Sequence, residues 1–96
     1  MSKFNLSFDK NILRKLRRIY KKDKLLYKKY KNFLVKFSED PFYPSLNTHK
    51  VFISDYGSVY SSSVTGDIRV IWSLEEDYVL RLLDIGGHEG SRKVYR

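Results

Sequence analysis

The first forty residues pass from the hydrophobic period of a strand to that of a helix. Residues 4–8 (FNLSF) alternate between apolar and polar side chains, which predicts a short strand. Asp9 then stands where a helix N-cap would be, and apolar residues recur after it on one helical face, with basic residues between them. The apolar face of this first predicted helix consists of Ile12, Leu13, Leu16, Ile19 and Tyr20.

A second helical period begins after Asp23, which is placed to cap it. Pro41 ends the pattern, and Pro44 extends the loop that follows. Because the link between the two helices is short, we predict that they form an antiparallel hairpin. The apolar positions of the second helix are Leu26, Tyr30, Phe33, Leu34 and Phe37.

After the loop the hydrophobic period changes to two. Gly57 ends the first of these segments, Thr65-Gly66 has the composition of a hairpin turn, and residues 74–77 form an acidic turn. Strands are therefore predicted at residues 50–56, 58–64, 67–73 and 78–85.

The predicted strand at residues 67–73 has two distinct faces. One face presents Ile68, Val70 and Trp72, and the other presents Arg69, Ile71 and Ser73. The element order β-α-α-β-β-β-β is typical of the α+β class. We therefore predict a single domain over residues 1–96. In this domain an N-terminal strand and the helical hairpin pack on one face of a mostly antiparallel, four- to five-stranded sheet.

The charge of the chain is large and unevenly distributed. The 19 Lys and Arg residues outnumber the 11 Asp and Glu residues, which gives a net charge of +8. Between Lys10 and Lys36 there are twelve basic residues and one acid, Asp23. A surface of this sign favours a polyanionic partner, because each phosphate contact releases counterions.

Several classes of site are excluded by composition. The chain has no cysteine, and its two histidines stand in no metal-ligand spacing, so neither a disulfide framework nor a metal centre is expected. Gly86-Gly87 and Gly90 do not form a dinucleotide fingerprint. The absence of a secretory h-region and of a membrane-spanning apolar run predicts a soluble, cytoplasmic protein without a cofactor.

A set of cationic and aromatic residues near the predicted strands remains as the candidate chemistry. An imidazole can move a proton near neutral pH, and guanidinium or ammonium groups can stabilise charge on a pentacoordinate phosphate. Such a set suits cleavage of a phosphodiester without a metal, and a tyrosine can stack on a base. Its members are His49, Lys50, Arg69, His88, Arg92 and Tyr95.

Three segments of the sequence together resemble the RelE/ParE superfamily of toxin–antitoxin systems. They are SEDPFYPSLNTHKV (38–51), GDIRVIW (66–72) and LLDIGGHEGSRKVYR (82–96). The resemblance is strongest to the RelE-like branch. It implies a small ribonuclease-like sheet with two helices packed on it. It also implies a metal-independent endoribonuclease that cuts mRNA in the ribosomal A site and is neutralised by an antitoxin encoded beside it.

The resemblance also implies residue roles. By position, Arg69 matches the hairpin arginine that contacts the scissile phosphate, and His88 matches a general acid or phosphate binder. Tyr95 matches the near-terminal tyrosine, and His49 and Lys50 stand where relatives keep a base or charge stabiliser. The expected reaction is attack of a ribose 2′-OH on the adjacent phosphate, with the roles of the two histidines interchangeable. RNA or phosphate binding is expected at Lys50, Arg92, Arg17 and Arg18.

Two other functions stay open at this point. The ParE branch shares the fold but inhibits DNA gyrase, and a catalytically silent nucleic-acid-binding module would have the same charge. The combination of Arg69 with two histidines favours the ribonuclease, because a gyrase binder does not need an imidazole beside an arginine. On the leading hypothesis the partners are a cognate antitoxin, the ribosome and mRNA.

Overall fold

The computed structural model describes residues 4–87 of the chain. Within this range two helices are followed by a run of strands, and two short 3₁₀ turns occur in the loops. The helices are α1 (Lys10–Lys22) and α2 (Lys24–Glu39). The 3₁₀ turns span Pro44–Leu46 and Glu76–Tyr78. The strands are β1 (Asn5–Phe8), β2 (His49–Ile53), β3 (Gly57–Ser63), β4 (Arg69–Glu75) and β5 (Val79–Gly86).

The strands of the described range form one mixed sheet in the order β1-β5-β4-β3-β2. β2 to β5 form an antiparallel meander, in which each strand pairs with the one before it. β1 lies at the edge opposite β2 and runs parallel to β5. The helical hairpin carries the chain across the sheet from β1 to β2. This architecture confirms the predicted α+β fold class.

The two predicted helix caps differ in what they do. The Asp23 carboxylate accepts a hydrogen bond from the Leu26 backbone N–H at 3.0 Å, so it caps α2 as predicted. Asp9 stands at the N-cap of α1, but its side chain makes no capping bond. Instead its carboxylate accepts a 2.8 Å hydrogen bond from Arg81 Nε on β5, which ties the start of α1 to the sheet.

The main core lies between the helices and one face of the sheet. α1 contributes Ile12 and Leu16, and Phe37 of α2 packs edge-on against Trp72 of β4, with ring centroids 5.1 Å apart. A smaller cluster covers the opposite face, with Ile71 from β4 at its centre. The predicted faces of β4 are therefore confirmed: Ile68, Val70 and Trp72 belong to the main core, whereas Ile71 lies on the other side.

Some predicted details were wrong. Leu13 and Tyr20 are exposed, so the buried stripe of α1 is narrower than its apolar face. β2 ends at Ile53, because the Tyr56 N–H bonds the Ile53 carbonyl at 2.9 Å and closes a turn. β4 runs two residues further than predicted, since the acidic segment turns only at Asp77 and Tyr78, whose φ angles are 61° and 59°.

Candidate active site

The antiparallel register brings part of the candidate set together. Ser63 pairs with Arg69 across β3 and β4, and His49 pairs with Ser61 across β2 and β3. Directly paired residues of antiparallel strands point to the same face of the sheet. These four side chains therefore share the face opposite the helices, beyond the end of the smaller apolar cluster.

The Arg69 guanidinium hydrogen-bonds to several groups on this face. Its Nε donates to Ser61 Oγ at 2.6 Å, and its Nη1 donates to Ser63 Oγ at 2.7 Å. Its Nη2 donates to the carbonyl oxygens of Asn47 at 2.8 Å and Ser61 at 3.2 Å. Because these bonds approach the guanidinium from several sides, the plane of the cation is fixed before any ligand arrives. A phosphate that replaced these neutral acceptors would pair the cation with an anion and could accept two parallel bonds from the guanidinium.

His49 lies beside this cation and is exposed to solvent. Its Nδ1 atom is 3.3 Å from Arg69 Nη2 and 3.1 Å from the Asn47 carbonyl oxygen. The two neighbours demand different tautomers, since the carbonyl requires a proton on Nδ1 and the guanidinium requires a lone pair there. When Nδ1–H donates to Asn47, the ring's Nε2 carries the lone pair and can accept a proton.

Asn47 positions both groups through its backbone. It follows the 3₁₀ turn at Pro44–Leu46 and adopts the left-handed conformation, with φ 48° and ψ 45°. Asparagine enters this region more readily than most residues. Asn47, Ser61 and Ser63 were not among the residues predicted from the sequence. The serines had a visible signal, because three consecutive serines in an apolar strand place hydroxyls on both faces of a sheet.

The side chains of Arg69, His49, Ser61 and Ser63 are called the Arg69 cluster below. Lys50 lies on the opposite face of the sheet from this cluster. It pairs with Tyr60, which pairs in turn with Trp72 of the main core. Its Nζ atom is 5.9 Å from the Tyr60 ring centroid. The structure therefore brings His49 and Arg69 together and separates Lys50 from both.

The C-terminal candidates His88, Arg92 and Tyr95 lie outside the described residues. The strand that leads to them ends beside Arg69, because Gly86 of β5 is the direct partner of Arg69. At Gly87 a Cβ atom would stand 3.1 Å from the Asp67 carbonyl oxygen, a tight approach that favours glycine.

Arg17 and Arg18 lie on α1 and are exposed. Arg18 lines a cavity of about 320 Å³ between the helical hairpin and the ends of β4 and β5, together with Lys15, Lys22 and Gly86. The helices pack on the other face of the sheet from His49, so these arginines form a cationic surface separate from the Arg69 cluster.

A partly buried ion pair anchors β5 to α1 close to this end of the sheet. Lys15 Nζ lies 2.7 Å from Asp84 Oδ1, and the carboxylate is almost completely buried. The same oxygen accepts the Ile85 backbone N–H at 2.9 Å. The register between β4 and β5 shifts at this point, where Ile71 pairs with Asp84 but Trp72 pairs with Leu82. The pair therefore fixes an irregular strand segment two residues before Gly86.

Among residues 4–87, no group of three or more His, Cys, Asp or Glu side chains is arranged to hold a metal ion. Neither of the helices described here is long and apolar enough to span a membrane.

Comparison with known proteins gives structural matches only. No family model and no curated protein matches the sequence. Among solved structures, a YoeB/ParE toxin from Agrobacterium tumefaciens superposes with a TM-score of 0.74 at 13% identity, covering 90% of this chain and 100% of the other. RelE in the archaeal RelE–RelB complex from Pyrococcus horikoshii gives 0.71 at 19% identity, covering 95% and 100%. The E. coli DinJ–YafQ complex gives 0.66 at 20% identity, covering 90% and 94%. This chain therefore has the fold of the RelE/ParE superfamily of toxins.

Proposed function

We propose that this protein is the toxin of a type II toxin–antitoxin system and that it cleaves mRNA on the ribosome without a metal ion. The observation that supports this most directly is the pairing of a pre-positioned cation with an imidazole: Arg69 Nη2 lies 3.3 Å from His49 Nδ1. On a fold of this superfamily, that pair supplies both a phosphate contact and a proton-transfer group.

In the proposed reaction, His49 Nε2 removes the proton from a ribose 2′-OH. The resulting oxygen attacks the adjacent phosphorus in line, and Arg69 stabilises the negative charge on the phosphoryl oxygens. The bond to the 5′ oxygen then breaks, and His88 donates a proton to that leaving oxygen. The products are a strand ending in a 2′,3′-cyclic phosphate and a strand starting with a 5′-OH. Tyr95 is proposed to stack on RNA near this site.

The partners follow from charge and from the structural neighbours. RelE and YafQ occur in complexes with RelB and DinJ, respectively, and YoeB of Staphylococcus aureus occurs in a complex with YefM. We propose that an antitoxin likewise binds this chain. The basic helical surface, including Arg17 and Arg18, is proposed to contact ribosomal RNA, because twelve basic residues against one acid between Lys10 and Lys36 create a strong cationic field. Further phosphate contacts are proposed for Lys50 and Arg92.

Inhibition of DNA gyrase is the second candidate, because one of the structural neighbours is named a YoeB/ParE toxin. Gyrase binding does not account for an imidazole held against a fixed guanidinium. A silent nucleic-acid-binding module accounts for it no better.

The decisive experiment is mRNA cleavage on programmed ribosomes with EDTA-treated protein. Wild-type protein is expected to cut within the A-site codon, and His49→Ala, Arg69→Ala and His88→Ala variants are expected to lose the cuts while remaining folded. If folded, antitoxin-free wild-type protein produces no cut, the ribonuclease assignment is wrong, and a supercoiling assay with gyrase tests the second candidate.

A further inference from the structure

An aromatic and cationic surface lies across the edge of the sheet from the Arg69 cluster. It is formed by the rings of Phe42, Tyr43 and Tyr60 with the amines of Lys36 and Lys50, and is called the aromatic platform below. Phe42 and Tyr43 are 50% and 45% exposed, although both are large rings in a compact domain. Exposed rings grouped with cations, unlike isolated surface hydrophobics, indicate a binding surface.

The loop that carries Phe42 and Tyr43 of the platform is held in place by hydrogen bonds. The Asp40 carboxylate accepts the Phe42 backbone N–H at 2.9 Å, and the Asp40 carbonyl accepts the Tyr43 N–H at 3.1 Å. Thr48 Oγ1 donates to the Pro41 carbonyl at 2.6 Å, which ties the loop to the start of β2. Because the backbone on both sides of the rings is fixed, binding a ligand here would require little ordering of the protein.

The rings also support one another from below. Tyr60 stacks on the buried Trp72 with centroids 4.7 Å apart and an interplanar angle of 22°. Phe42 stands edge-on to both, at 5.4 Å from Tyr60 and 5.8 Å from Trp72. Phe42 thus rests on a rigid aromatic base and keeps half of its surface open to solvent.

Each of the two tyrosines in the platform has a lysine beside it. Lys50 Nζ lies 5.9 Å from the Tyr60 centroid, and Lys36 Nζ lies 5.5 Å from the Tyr43 centroid. A nucleotide presents a flat base next to a negative phosphate, so alternating rings and ammonium groups match the chemistry of single-stranded nucleic acid. An apolar peptide would match the rings but would leave the two amines without partners.

The platform is continuous with the candidate active site through β2. Lys50 follows His49 in this strand, and successive side chains of a strand point to opposite faces. Within residues 4–87, β2 is an edge strand of the sheet, so an RNA strand can pass around it without meeting another strand of this range. Because His49 and Lys50 are adjacent in β2, the nucleotides next to the bond cleaved at Arg69 would reach the platform.

We propose that the aromatic platform is a subsite for single-stranded RNA, which stacks one or two bases flanking the scissile phosphate on Phe42 and Tyr43. The location of the scissile phosphate rests on the proposed function. The stacking itself does not, because a platform of this kind binds RNA whether or not the chain cleaves it.

The test is binding without cleavage. Fluorescence anisotropy is measured with a fluorescein-labelled, 2′-O-methylated single-stranded RNA of about eight nucleotides, a length within the site sizes of single-strand binders. Phe42→Leu and Tyr43→Leu keep apolar volume but remove the flat ring. Each is expected to weaken binding roughly tenfold, as loss of a base–aromatic stack does. Lys50→Gln is expected to reduce the dependence of log affinity on log salt by about 0.7.

The matched control is Tyr78→Leu. Tyr78 is exposed too, but it lies in the acidic turn after β4, where its ring contacts Phe4. This variant is expected to bind RNA like the wild type, and thermal unfolding of every variant checks that the fold is intact. Equal affinity of folded Phe42→Leu, Tyr43→Leu and wild-type protein would overturn the subsite. If the ring variants instead lose affinity only for a co-purified antitoxin, the platform is a protein-binding surface and the proposal is wrong.

The methylated RNA separates this proposal from the ribonuclease assignment. If wild-type protein binds the oligonucleotide through Phe42 and Tyr43 but produces no cut on ribosomes, the subsite stands and the ribonuclease assignment fails. If Arg69→Ala abolishes cleavage while the ring variants bind normally, the ribonuclease assignment stands and the subsite fails.

Discussion

The two faces of the sheet are built from alternate residues of the same strands, yet they differ in almost every physical respect. On the helix-covered face, Trp72 packs against Phe37 and is fully buried. On the open face the neighbouring β4 residues are Ile71, which belongs to a small apolar cluster, and Arg69, which belongs to a polar one. One face therefore supplies most of the apolar burial that stabilises the fold, and the other leaves polar groups near solvent.

This difference indicates that one face of the sheet serves mainly stability and the other mainly activity, which mutations can test. The side chains around Arg69 are joined by hydrogen bonds among themselves and to Asn47, and none of these bonds reaches the helices. Substitutions there should affect activity much more than stability. Substitutions that break contacts between helix and sheet should do the opposite.

The largest expected effect is that of Arg69→Ala on cleavage. Loss of a pre-positioned donor to the transition state typically costs a hundredfold to a thousandfold in rate, and the bound phosphate would lose its main cation. Arg69→Lys should restore little, because an ammonium group cannot reproduce the fork that contacts Ser61 and Ser63. Single-turnover cleavage on programmed ribosomes measures the rate.

The control for that experiment is Arg81→Ala. Arg81 is an exposed strand arginine that pairs with Asp9, away from the cluster. It should cleave at the wild-type rate. If Arg69→Ala unfolds the protein, or if Arg81→Ala slows cleavage as much, the division between the two faces fails.

Much of this division could be read from the sequence, because hydrophobic period reports burial directly. The alternation through residues 67–73 predicted which β4 side chains enter the main core, and the contacts of Trp72 and Ile71 confirm it. Asp23 was predicted as a cap because its role depends only on the residues next to it. Local chemistry of this kind is visible before the chain is folded.

The polar cluster was predicted only in part, because its contacts depend on register. Arg69 and His49 were predicted from their residue types and from family resemblance. Asn47 acts through its backbone carbonyl, whose position cannot be predicted from the pattern of side chains. Lys50 was grouped with His49 because the two stand side by side at the start of a predicted strand and because the resemblance places a base or charge stabiliser there. Both residues lie in β2, where successive side chains alternate, so Lys50 faces the other way.

The second prediction concerns His49, which we expect to contribute less than Arg69. His49→Ala should slow cleavage about a hundredfold near neutral pH, the lower end of what a positioned proton-transfer group contributes. His49→Gln keeps a hydrogen-bonding side chain beside Arg69 but cannot take up a proton. Equal loss in both variants supports proton transfer, whereas near-complete rescue by Gln shows that the imidazole only positions Arg69.

The third prediction concerns the helix-covered side. Lys15→Met leaves the Asp84 carboxylate buried without its cation, and we expect it to lower the free energy of unfolding by about 2 kcal/mol. Adding Asp84→Asn should recover part of that loss, because a neutral amide costs less to bury than an unpaired carboxylate. Lys21→Met, at an exposed position of the same helix, is the control. Chemical denaturation measures all four proteins, and a Lys15→Met variant as stable as Lys21→Met would contradict this account.

The smallest expected change in stability concerns a hydroxyl group that is buried in the main core. Tyr30 of α2 is 3% exposed, and its hydroxyl has no hydrogen-bond partner in the described part of the chain. Burying a hydroxyl without a partner is unfavourable. Tyr30→Phe should therefore stabilise the fold by up to about 1 kcal/mol at neutral pH. The nearby Tyr27→Phe substitution, at a partly buried ring, is the comparison, and it should change stability less.

The same hydroxyl predicts how stability changes in alkali. Burial raises the pKa of Tyr30 above its usual value of about 10, and the neighbouring Tyr27 raises it further. Below about pH 10 both folded and unfolded chains keep the proton, so Tyr30 adds no pH dependence. Above that pH the unfolded chain releases the proton while the folded chain retains it, so stability falls by up to about 1.4 kcal/mol per pH unit. Tyr30→Phe should remove this part of the slope. Denaturation curves of both proteins between about pH 9 and 11 measure the difference, and parallel curves would show that the hydroxyl reaches water or an acceptor.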